Sequence, residues 1–245
     1  MWIKVAVAID ETLTAEIPAF GLAQSPGLQA APHANVALGP PLLAVARSWK
    51  KRSIDVTVAG GALLLLAPFL ILIALVIVLD GGWPALYVQQ RVGLRGRHFR
   101  LWKFRTMVNG AEALRDSLTH LNEAPFPAFK LRDDPRVTRV GRLLRNSSLD
   151  ELPQLWNVLK GEMSLVGPRP ALPNEVCHYD ALALRRLEAR PGITGIWQVE
   201  DRHRMAGRFG DWVGADIRYL EHWSVWQDVV LLAKTLAVVI RMTGH

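Results

Sequence analysis

Cysteine is nearly absent from this chain, because Cys177 is the single one among 245 residues. A lone cysteine excludes a disulfide framework, and we expect it to be a small buried apolar residue. The seven histidines lack the spacing of a zinc site. The sequence also has no Walker loop and no dinucleotide-type glycine fingerprint, which excludes the commonest nucleotide-binding signatures.

A secretory signal peptide is missing as well. The apolar stretch near the N-terminus ends at Ile9, because Asp10 and Glu11 follow directly. Such a stretch is too short for the apolar region of a signal. Together with the lone cysteine, this predicts a reducing, cytoplasmic setting.

Positive charge is concentrated in one part of the chain. The formal charge is +7, and residues 47–110 alone carry ten basic and two acidic side chains. Residues 1–46 have one basic and three acidic side chains, and residues 111–245 have eighteen and seventeen. A localised excess argues against a uniformly basic nucleic-acid coat protein, so we expect no nucleic-acid partner.

The basic region encloses a hydrophobic run. Residues 56–79 are 24 consecutive uncharged residues, enough to cross a bilayer of about 30 Å as a helix. Both flanks are positive, and the positive-inside rule places such flanks on the cytoplasmic side. A re-entrant helix broken at Pro68 satisfies this rule on both flanks, because a proline removes a helical hydrogen bond and kinks the chain. An ordinary span with a tolerated proline is the alternative. The residues expected at the membrane interface are Lys51, Arg52 and Asp55.

This pattern divides the chain into a disordered leader over 1–46, a re-entrant membrane helix over 47–80 and a catalytic domain over 81–245. The leader holds five of the fifteen prolines and shows no periodicity. In the domain, residues 99–107 predict a strand. Residues 225–242 predict a helix that is apolar nearly all round and serves either the core or the membrane surface. Further helices are expected over 110–121, 137–144, 148–159 and 175–188. The expected fold class is therefore α/β, mostly helical with a small sheet.

Two adjacent carboxylates, Asp150 and Glu151, lie in the densest polar stretch of the domain. Ser148 and Glu151 fit a capping box, while Asp150 as the cap with Pro153 in the first turn is the other interpretation. Both place the carboxylates at a helix N-terminus, which favours anions. A metal held there could bring in a diphosphate, and a carboxylate freed of water can attack phosphorus to form an acyl phosphate. Simple helix capping is the plainer alternative.

Four cationic side chains favour phosphate binding. Pro168 and Pro170 restrict the backbone on both sides of Arg169 in the sequence GPRP, so this guanidinium loses little entropy when it binds phosphate oxygens. A surface turn is the alternative role for Arg169, and contact with lipid headgroups is the alternative for the other three. Those three are Lys103, Arg105 and Arg145.

Two further polar stretches are less informative. Asp133 and Asp134 are most simply a solvated turn before Pro135. Residues 198–202 are polar and follow a turn-rich stretch, and their composition alone assigns them no role.

Several motifs in order carry a resemblance to a known family. After Lys51-Arg52 and the interrupted hydrophobic run, the sequence has KFRTM at 103–107, DPRVT at 134–138, SLDELPQL at 148–155, GEMSLVGPRP at 161–170 and PGITG at 191–195, followed by Asp216 and Tyr219. Across about 47–240 the chain resembles the bacterial sugar transferases, which are monotopic polyprenyl-phosphate phosphoglycosyl transferases. Its short architecture resembles the galactose-phosphate transferases that initiate exopolysaccharide.

The resemblance implies an activity and a location. Members transfer a sugar 1-phosphate from a UDP-sugar to undecaprenyl phosphate and release UMP, through a covalent aspartyl-phosphosugar intermediate. Galactose is the expected sugar, and glucose is the next candidate. Members insert a re-entrant helix, broken at a proline that matches Pro68, into the inner leaflet of the bacterial inner (cytoplasmic) membrane. The catalytic domain, with its surface amphipathic helices, then lies on the cytoplasmic side.

The same resemblance implies roles for individual residues. Asp150 would be the nucleophile, and Glu151 with Asp150 would hold Mg²⁺. The implied substrate-binding residues are Arg145, Arg169, Lys103, Arg105, Pro168, Pro170, Asp216, Gln198 and Arg202. The sequence leaves a homo-oligomer open.

Two departures from the family pattern affect these expectations. Ala67 precedes the membrane proline, where many members have serine, so the break relies on Pro68 alone. Glu200 and Asp201 replace a small residue and a glycine before Arg202, which changes the geometry expected of that loop. The alternative function is a non-catalytic membrane adaptor that binds anionic lipid through residues 47–105.

Overall fold

A computed structural model describes residues 45, 48–114, 116–123, 126, 129, 131, 133–199 and 209–241. These residues all belong to one compact unit. Except for Val45, the predicted leader over 1–46 lies outside the described residues.

One long helix, α1 (Trp49–Gly81), contains the hydrophobic run. It begins after Ser48, whose hydroxyl accepts a hydrogen bond from the amide of Lys51. It continues through Pro68, so the predicted break of the helix at this residue is wrong. It ends at Gly82, whose φ of 75° is a left-handed conformation that glycine adopts without strain. Among the described residues, α1 is the one helix long and apolar enough to cross a membrane.

A β-hairpin follows α1. Strands β1 (Leu86–Val92) and β2 (His98–Phe104) pair antiparallel, with Leu86 opposite Phe104 and Val92 opposite His98. A 3₁₀ turn over Leu94–Gly96 joins them. The strand predicted over 99–107 is confirmed, although the regular pairing ends at Phe104.

A second, shorter sheet brings two distant segments together. Strands β3 (Ser164–Val166) and β4 (Gly192–Thr194) pair in parallel. Beside them the backbone at Gly192 comes so close to Gly167 that a Cβ on Gly192 would lie 2.1 Å from the Gly167 nitrogen. A side chain at Gly192 would therefore separate the two strands.

The rest of the described chain is mainly helical, which confirms the expected mixture of helices and a small sheet. The helices are α2 (Arg139–Asn146), α3 (Gln154–Lys160), α4 (Pro173–Val176), α5 (Ala181–Leu184), α6 (Ile196–Val199), α7 (Phe209–Glu221) and α8 (Val225–Ile240). Single 3₁₀ helices cover Asp116–Leu121, Leu149–Glu151 and Arg185–Glu188.

Two predicted helices are not continuous. In 110–121, the left-handed Gly110 (φ 77°) is followed by turns, and only Asp116–Leu121 forms a 3₁₀ helix. The segment 175–188 is divided because Asp180 starts a new helix, with its carboxylate accepting a hydrogen bond from the amide of Ala183 at 2.7 Å. Local capping therefore overrides the helical spacing of the apolar residues in this segment.

Helix α1 packs against the folded unit at both ends but not in its middle. Ala59 near the N-terminal end is fully buried, and Ile73 and Ile77 near the C-terminal end are buried in a cluster with residues of β2 and α2. Between them, Leu64 and Leu65 are 82% and 79% exposed. Both ends of α1 therefore contact the same domain, while the middle presents bare apolar surface.

The first two turns of α1 hold a buried polar network. Lys51 Nζ lies 2.6 Å from Oδ2 of Asp228 in α8 and donates to the Tyr219 hydroxyl at 3.0 Å. Asp55 accepts hydrogen bonds from the Ser164 hydroxyl and the Leu165 amide, at 3.0 and 2.9 Å. Partners from distant parts of the chain therefore bury both Lys51 and Asp55, and their position at the membrane interface stays a prediction.

Two arginines of the basic flanks also bind within the protein. Arg52 donates to the carbonyls of Val158 and Leu159, at 2.6 and 2.8 Å, in the last turn of α3. The Arg52 guanidinium therefore caps the C-terminus of α3. Arg105 donates to the carbonyl of Gly82 at the end of α1. These contacts tie each end of α1 to the elements around the carboxylate pair.

Helix α8 serves the core through one face only. Asp228 and Leu231 are buried, whereas Trp226 and Ile240 are 73% and 80% exposed.

Cys177 was expected to be buried, and this is wrong, since it is exposed at the end of α4.

Candidate active site

Asp150 and Glu151 lie on a single 3₁₀ turn between α2 and α3. Both capping interpretations are wrong. Ser148 adopts a left-handed conformation (φ 56°) and its side chain makes no capping hydrogen bond, while α3 begins only at Gln154 after Pro153. The pair is therefore displayed on a tight turn that precedes α3 and is not part of its first turn.

The Asp150 carboxyl is withdrawn from water. It is 8% exposed, and burial raises its pKa to about 6. Lys103 opposes this rise most strongly, the adjacent Glu151 adds to it, and Arg145 opposes it. An ionised carboxylate in this setting is poorly solvated, which makes it more reactive than an exposed one.

Lys103 connects strand β2 to this turn. Its Nζ lies 2.6 Å from Oε1 of Glu151, and about a quarter of each side chain remains exposed. Lys103 thus pairs with Glu151, and its positive charge also lowers the pKa of Asp150. Lys103 is one of the predicted phosphate-binding residues, and the structure places it beside both carboxylates.

Arg145 approaches the same turn from the last turn of α2. Its Nε donates to Oγ1 of Thr106 at 2.9 Å. Burial lowers the pKa of Arg145, and the charge of Asp150 opposes that change most strongly. Arg145 and Asp150 are therefore close enough to stabilise each other's charged forms.

Arg169 lies in the segment that leaves β3. Pro168 is fully buried, and the carbonyl of Pro170 accepts a hydrogen bond from Arg91 Nη1 at 2.8 Å. Pro168 and Arg169 line a small surface depression together with Tyr179. The segment is thus rigid and presents Arg169 at an opening in the surface.

Arg91 was not among the predicted site residues, because it was counted only in the basic flank. It is buried, and burial lowers its pKa to about 10, with the charge of Arg169 lowering it further. Glu175 and Glu151 oppose this change. The charges of both Arg169 and Glu151 therefore act on Arg91, although these two residues belong to different segments of the chain.

Asp134 and Arg136 were also missed. The prediction of a solvated turn is wrong for Asp134, which is 6% exposed. Its two carboxylate oxygens accept from Nε and Nη2 of Arg136 at 2.9 and 2.7 Å, and these hydrogen bonds lower its pKa. The sequence signal for this ion pair was the arrangement of an acidic residue and an arginine on either side of Pro135.

The structure describes three further residues of the predicted substrate-binding set, and one of them, Asp216, is near enough to Arg169 for the arginine to lower its pKa. Arg105 binds the end of α1 and also donates to the side chain of Asn109 at 2.5 Å. Asp216 is 1% exposed and accepts from Arg186 Nε at 2.7 Å, and burial raises its pKa to about 6 against the effect of that arginine. Gln198 lies in α6, and its buried side-chain oxygen has no hydrogen-bond partner among the residues that the structure describes. Arg202 lies outside the described residues, as do Glu200 and Asp201.

The donor set suits one kind of metal. Within the described residues, no group of three or more His, Cys, Asp or Glu side chains could hold a metal ion. Mg²⁺ is usually held by one or two carboxylates with water and substrate phosphate oxygens. Asp150 and Glu151 fit that pattern, because their adjacent negative charges disfavour each other and a cation would relieve this.

Comparison with known proteins gives this geometry a context. The model of the family described as bacterial sugar transferase matches residues 46–242. Galactosyl transferase CpsE of Streptococcus agalactiae is 44% identical over 194 residues, covering 79% of this chain and 43% of that protein. Exopolysaccharide production protein ExoY of Rhizobium meliloti is 42% identical over 199 residues, covering 79% and 87%. UDP-glucose:undecaprenyl-phosphate glucose-1-phosphate transferase of Caulobacter vibrioides is 42% identical over 212 residues, covering 81% and 72%. The chain thus matches less than half of CpsE but most of ExoY.

Proposed function

This chain belongs to the bacterial sugar transferase family, and we propose that it transfers a sugar 1-phosphate from a UDP-sugar to undecaprenyl phosphate and releases UMP. This is the first membrane step of exopolysaccharide synthesis. One observation carries the proposal: Asp150 is buried with a raised pKa, beside Glu151 and in the field of Lys103 and Arg145. Such a carboxylate suits nucleophilic attack on phosphorus.

The transfer takes place in two displacements. An oxygen of the Asp150 carboxylate attacks the phosphorus that bears the sugar. The bond from that phosphorus to the bridging oxygen breaks, and UMP leaves with this oxygen. A phosphate oxygen of undecaprenyl phosphate then attacks the same phosphorus, which restores the Asp150 carboxylate and yields the lipid diphosphate sugar.

The cations of the site neutralise charge during both displacements. Phosphoryl transfer needs positioning and charge neutralisation more than covalent help from the protein. Arg145 and Arg169 bind phosphate oxygens, and Lys103 keeps Glu151 in place through its 2.6 Å contact. Pro168 and Pro170 shape the wall of the nucleotide site through the rigid segment around Arg169.

Mg²⁺ is the proposed cofactor, held by Glu151 and Asp150. When bound, it neutralises charge on the diphosphate of the donor. Lys103 fixes the Glu151 carboxylate at the position from which it would hold the ion.

The membrane supplies the acceptor. We place α1 in the inner leaflet of the cytoplasmic membrane as a re-entrant helix, with the domain on the cytoplasmic side. The helix is continuous through Pro68, so we propose a bend at this proline and not an interruption. The packing of both ends of α1 on the same domain supports this, because an ordinary span would carry one end about 30 Å away, across the bilayer. The lipid acceptor then shares its membrane leaflet with the helix next to the site.

Galactose is the proposed sugar, with glucose as the next candidate. CpsE is named a galactosyl transferase, and the Caulobacter relative is named for glucose 1-phosphate transfer. The adaptor alternative loses three of its cations, because Lys51, Arg52 and Arg105 bind within the protein. Other basic residues of the same region, such as Lys50 and Arg100, are exposed, so the activity assay decides between the two functions.

The experiment is a UMP-release assay with the detergent-solubilised protein, undecaprenyl phosphate, Mg²⁺ and a panel of UDP-sugars. We expect the wild type to release UMP faster from UDP-galactose than from the other UDP-sugars. Asp150→Asn should release none. Asp116→Asn, which changes an exposed carboxylate outside the site, is the matched control and should keep wild-type turnover. Retained turnover in Asp150→Asn would contradict the proposed role of this residue.

A further inference from the structure

Thr106 contacts the proposed phosphate-binding arginine of α2. It lies two residues beyond β2, is 7% exposed and accepts the hydrogen bond from Arg145 Nε. Within the described part of the chain, this is the one hydrogen bond of the Arg145 side chain. Both terminal nitrogens of Arg145 therefore lack a protein acceptor there.

Thr106 is itself fixed by backbone contacts. Its carbonyl accepts a hydrogen bond from the Thr138 amide at 3.0 Å, and the Thr138 hydroxyl caps α2 by accepting from the Gly141 amide at 2.9 Å. A Cβ on Gly141 would lie 2.0 Å from the Thr106 oxygen, so only glycine permits this approach. The first turn of α2 is thereby locked onto Thr106.

The helical repeat places Arg145 on the same face of α2. Gly141 and Arg145 are four residues apart, so both face Thr106. The backbone contact at Gly141 and the side-chain contact at Arg145 therefore act together: the first sets the distance between α2 and Thr106, and the second sets the plane of the guanidinium.

The orientation of that plane matters for anion binding. A guanidinium binds phosphate bidentately only when two of its donors point to the same group. A hydrogen bond at Nε leaves both terminal nitrogens for the ligand and removes rotations that would otherwise cost entropy on binding. The Arg145 carbonyl accepts a hydrogen bond from the Ser148 amide at 3.0 Å, and the turn that carries Asp150 begins at the next residue. The phosphate that Arg145 would bind is therefore the one next to the nucleophile.

We propose that Thr106 is a positioning residue, whose hydroxyl aims the two unpaired terminal nitrogens of Arg145 at the phosphate that reacts with Asp150. The proposal rests on the proposed function, because it assumes that a phosphate binds beside Asp150. In this proposal Thr106 acts only through Arg145, and it neither binds the substrate nor takes part in the chemistry.

The test compares three variants in the UMP-release assay. Thr106→Val keeps the shape but loses the acceptor, and we expect kcat/KM to fall on the order of tenfold because Arg145 is no longer aligned. Thr106→Ser restores the hydroxyl and should recover most of the activity. Ser117→Ala removes a hydroxyl that bonds to a carbonyl in an exposed turn, and it should match the wild type.

A double-mutant cycle separates positioning from general stability. In an Arg145→Lys background, which has no Nε donor to align, Thr106→Val should cause no further loss of kcat/KM. The apparent Tm in detergent is measured for every variant. If Thr106→Val does not fold, Thr106→Ala repeats the cycle with the backbone contacts intact.

The outcomes are distinguishable. Wild-type kcat/KM in Thr106→Val, or the same loss with and without Arg145, would overturn the inference and leave the proposed function in place. A wild-type protein that releases no UMP from any UDP-sugar would overturn both.

Discussion

Lys103 Nζ lies 2.6 Å from Oε1 of Glu151, and this contact joins strand β2 to the turn that carries Asp150. The lysine stabilises the ionised form of Asp150 more than any other neighbour does, whereas Glu151 destabilises it. The reactivity of Asp150 thus depends on a balance between burial and one nearby cation.

That balance predicts the pH dependence of the reaction. Asp150 must be ionised to attack, so kcat/KM should rise with pH through a midpoint near the pKa of about 6 and level off above it. Lys103→Met removes the main charge that favours ionisation, so the midpoint should move to higher pH. The measurement is UMP release from pH 5 to 9, with Lys160→Met as the control, because Lys160 pairs with Glu162 on the surface. A Lys103→Met midpoint at or below that of the wild type would contradict this prediction.

The same burial predicts that Asp150 costs stability. The native state holds the Asp150 proton up to a pKa of about 6, and the unfolded chain loses it near 3.8. Stability therefore falls as pH rises between these values, by up to about 3 kcal/mol. Asp150→Asn should raise the apparent Tm in detergent at pH 8, and the gain should vanish below pH 3.8. A lower Tm for Asp150→Asn at pH 8 would show that the charge is stabilising.

The contact between Lys51 and Asp228 predicts a role in folding and not in membrane attachment. Lys51→Met leaves Asp228 buried without its cation, which typically costs about 3–5 kcal/mol. We expect a lower apparent Tm in detergent, while the folded fraction still sediments with membranes. Lys50→Met, at an exposed position in the same turn, should change neither. Release from membranes with an unchanged Tm would instead assign Lys51 to lipid.

The topology of α1 predicts a labelling pattern. Lys50→Cys and Trp83→Cys place a thiol at each exposed end of the helix, in a Cys177→Ser background because the native thiol is itself exposed. Both thiols should react from the cytoplasmic side with a reagent that does not cross membranes. Labelling from opposite sides would restore the ordinary span.

The sequence predicted the features that depend on local composition. The hydrophobic run over 56–79 lies in α1, the strand predicted over 99–107 corresponds to β2, and the helix predicted over 225–242 corresponds to α8. Asp150 and Glu151 are consecutive residues, so the sequence alone shows that the two carboxylates are neighbours. Each of these signals lies within one segment of the chain.

The sequence could not predict contacts between distant residues. Lys51 and Asp228 are 177 residues apart, and nothing in either segment indicates a buried ion pair. Arg52 was expected at the membrane interface and Arg105 at a phosphate or, alternatively, a lipid headgroup, whereas both bind carbonyl groups of the protein. Capping at the carboxylate pair failed for a different reason, because the left-handed Ser148 ends the helical path before Asp150.

The most direct test is the intact mass of the protein after incubation with UDP-galactose and Mg²⁺ in the absence of undecaprenyl phosphate. With no acceptor, the first displacement should leave one hexose phosphate on Asp150 and release UMP stoichiometrically. Undecaprenyl phosphate should then remove the added mass, and Asp150→Asn should never gain it. Release of UMP by the wild type only when the lipid is present, with no added mass at any time, would contradict a covalent role for Asp150.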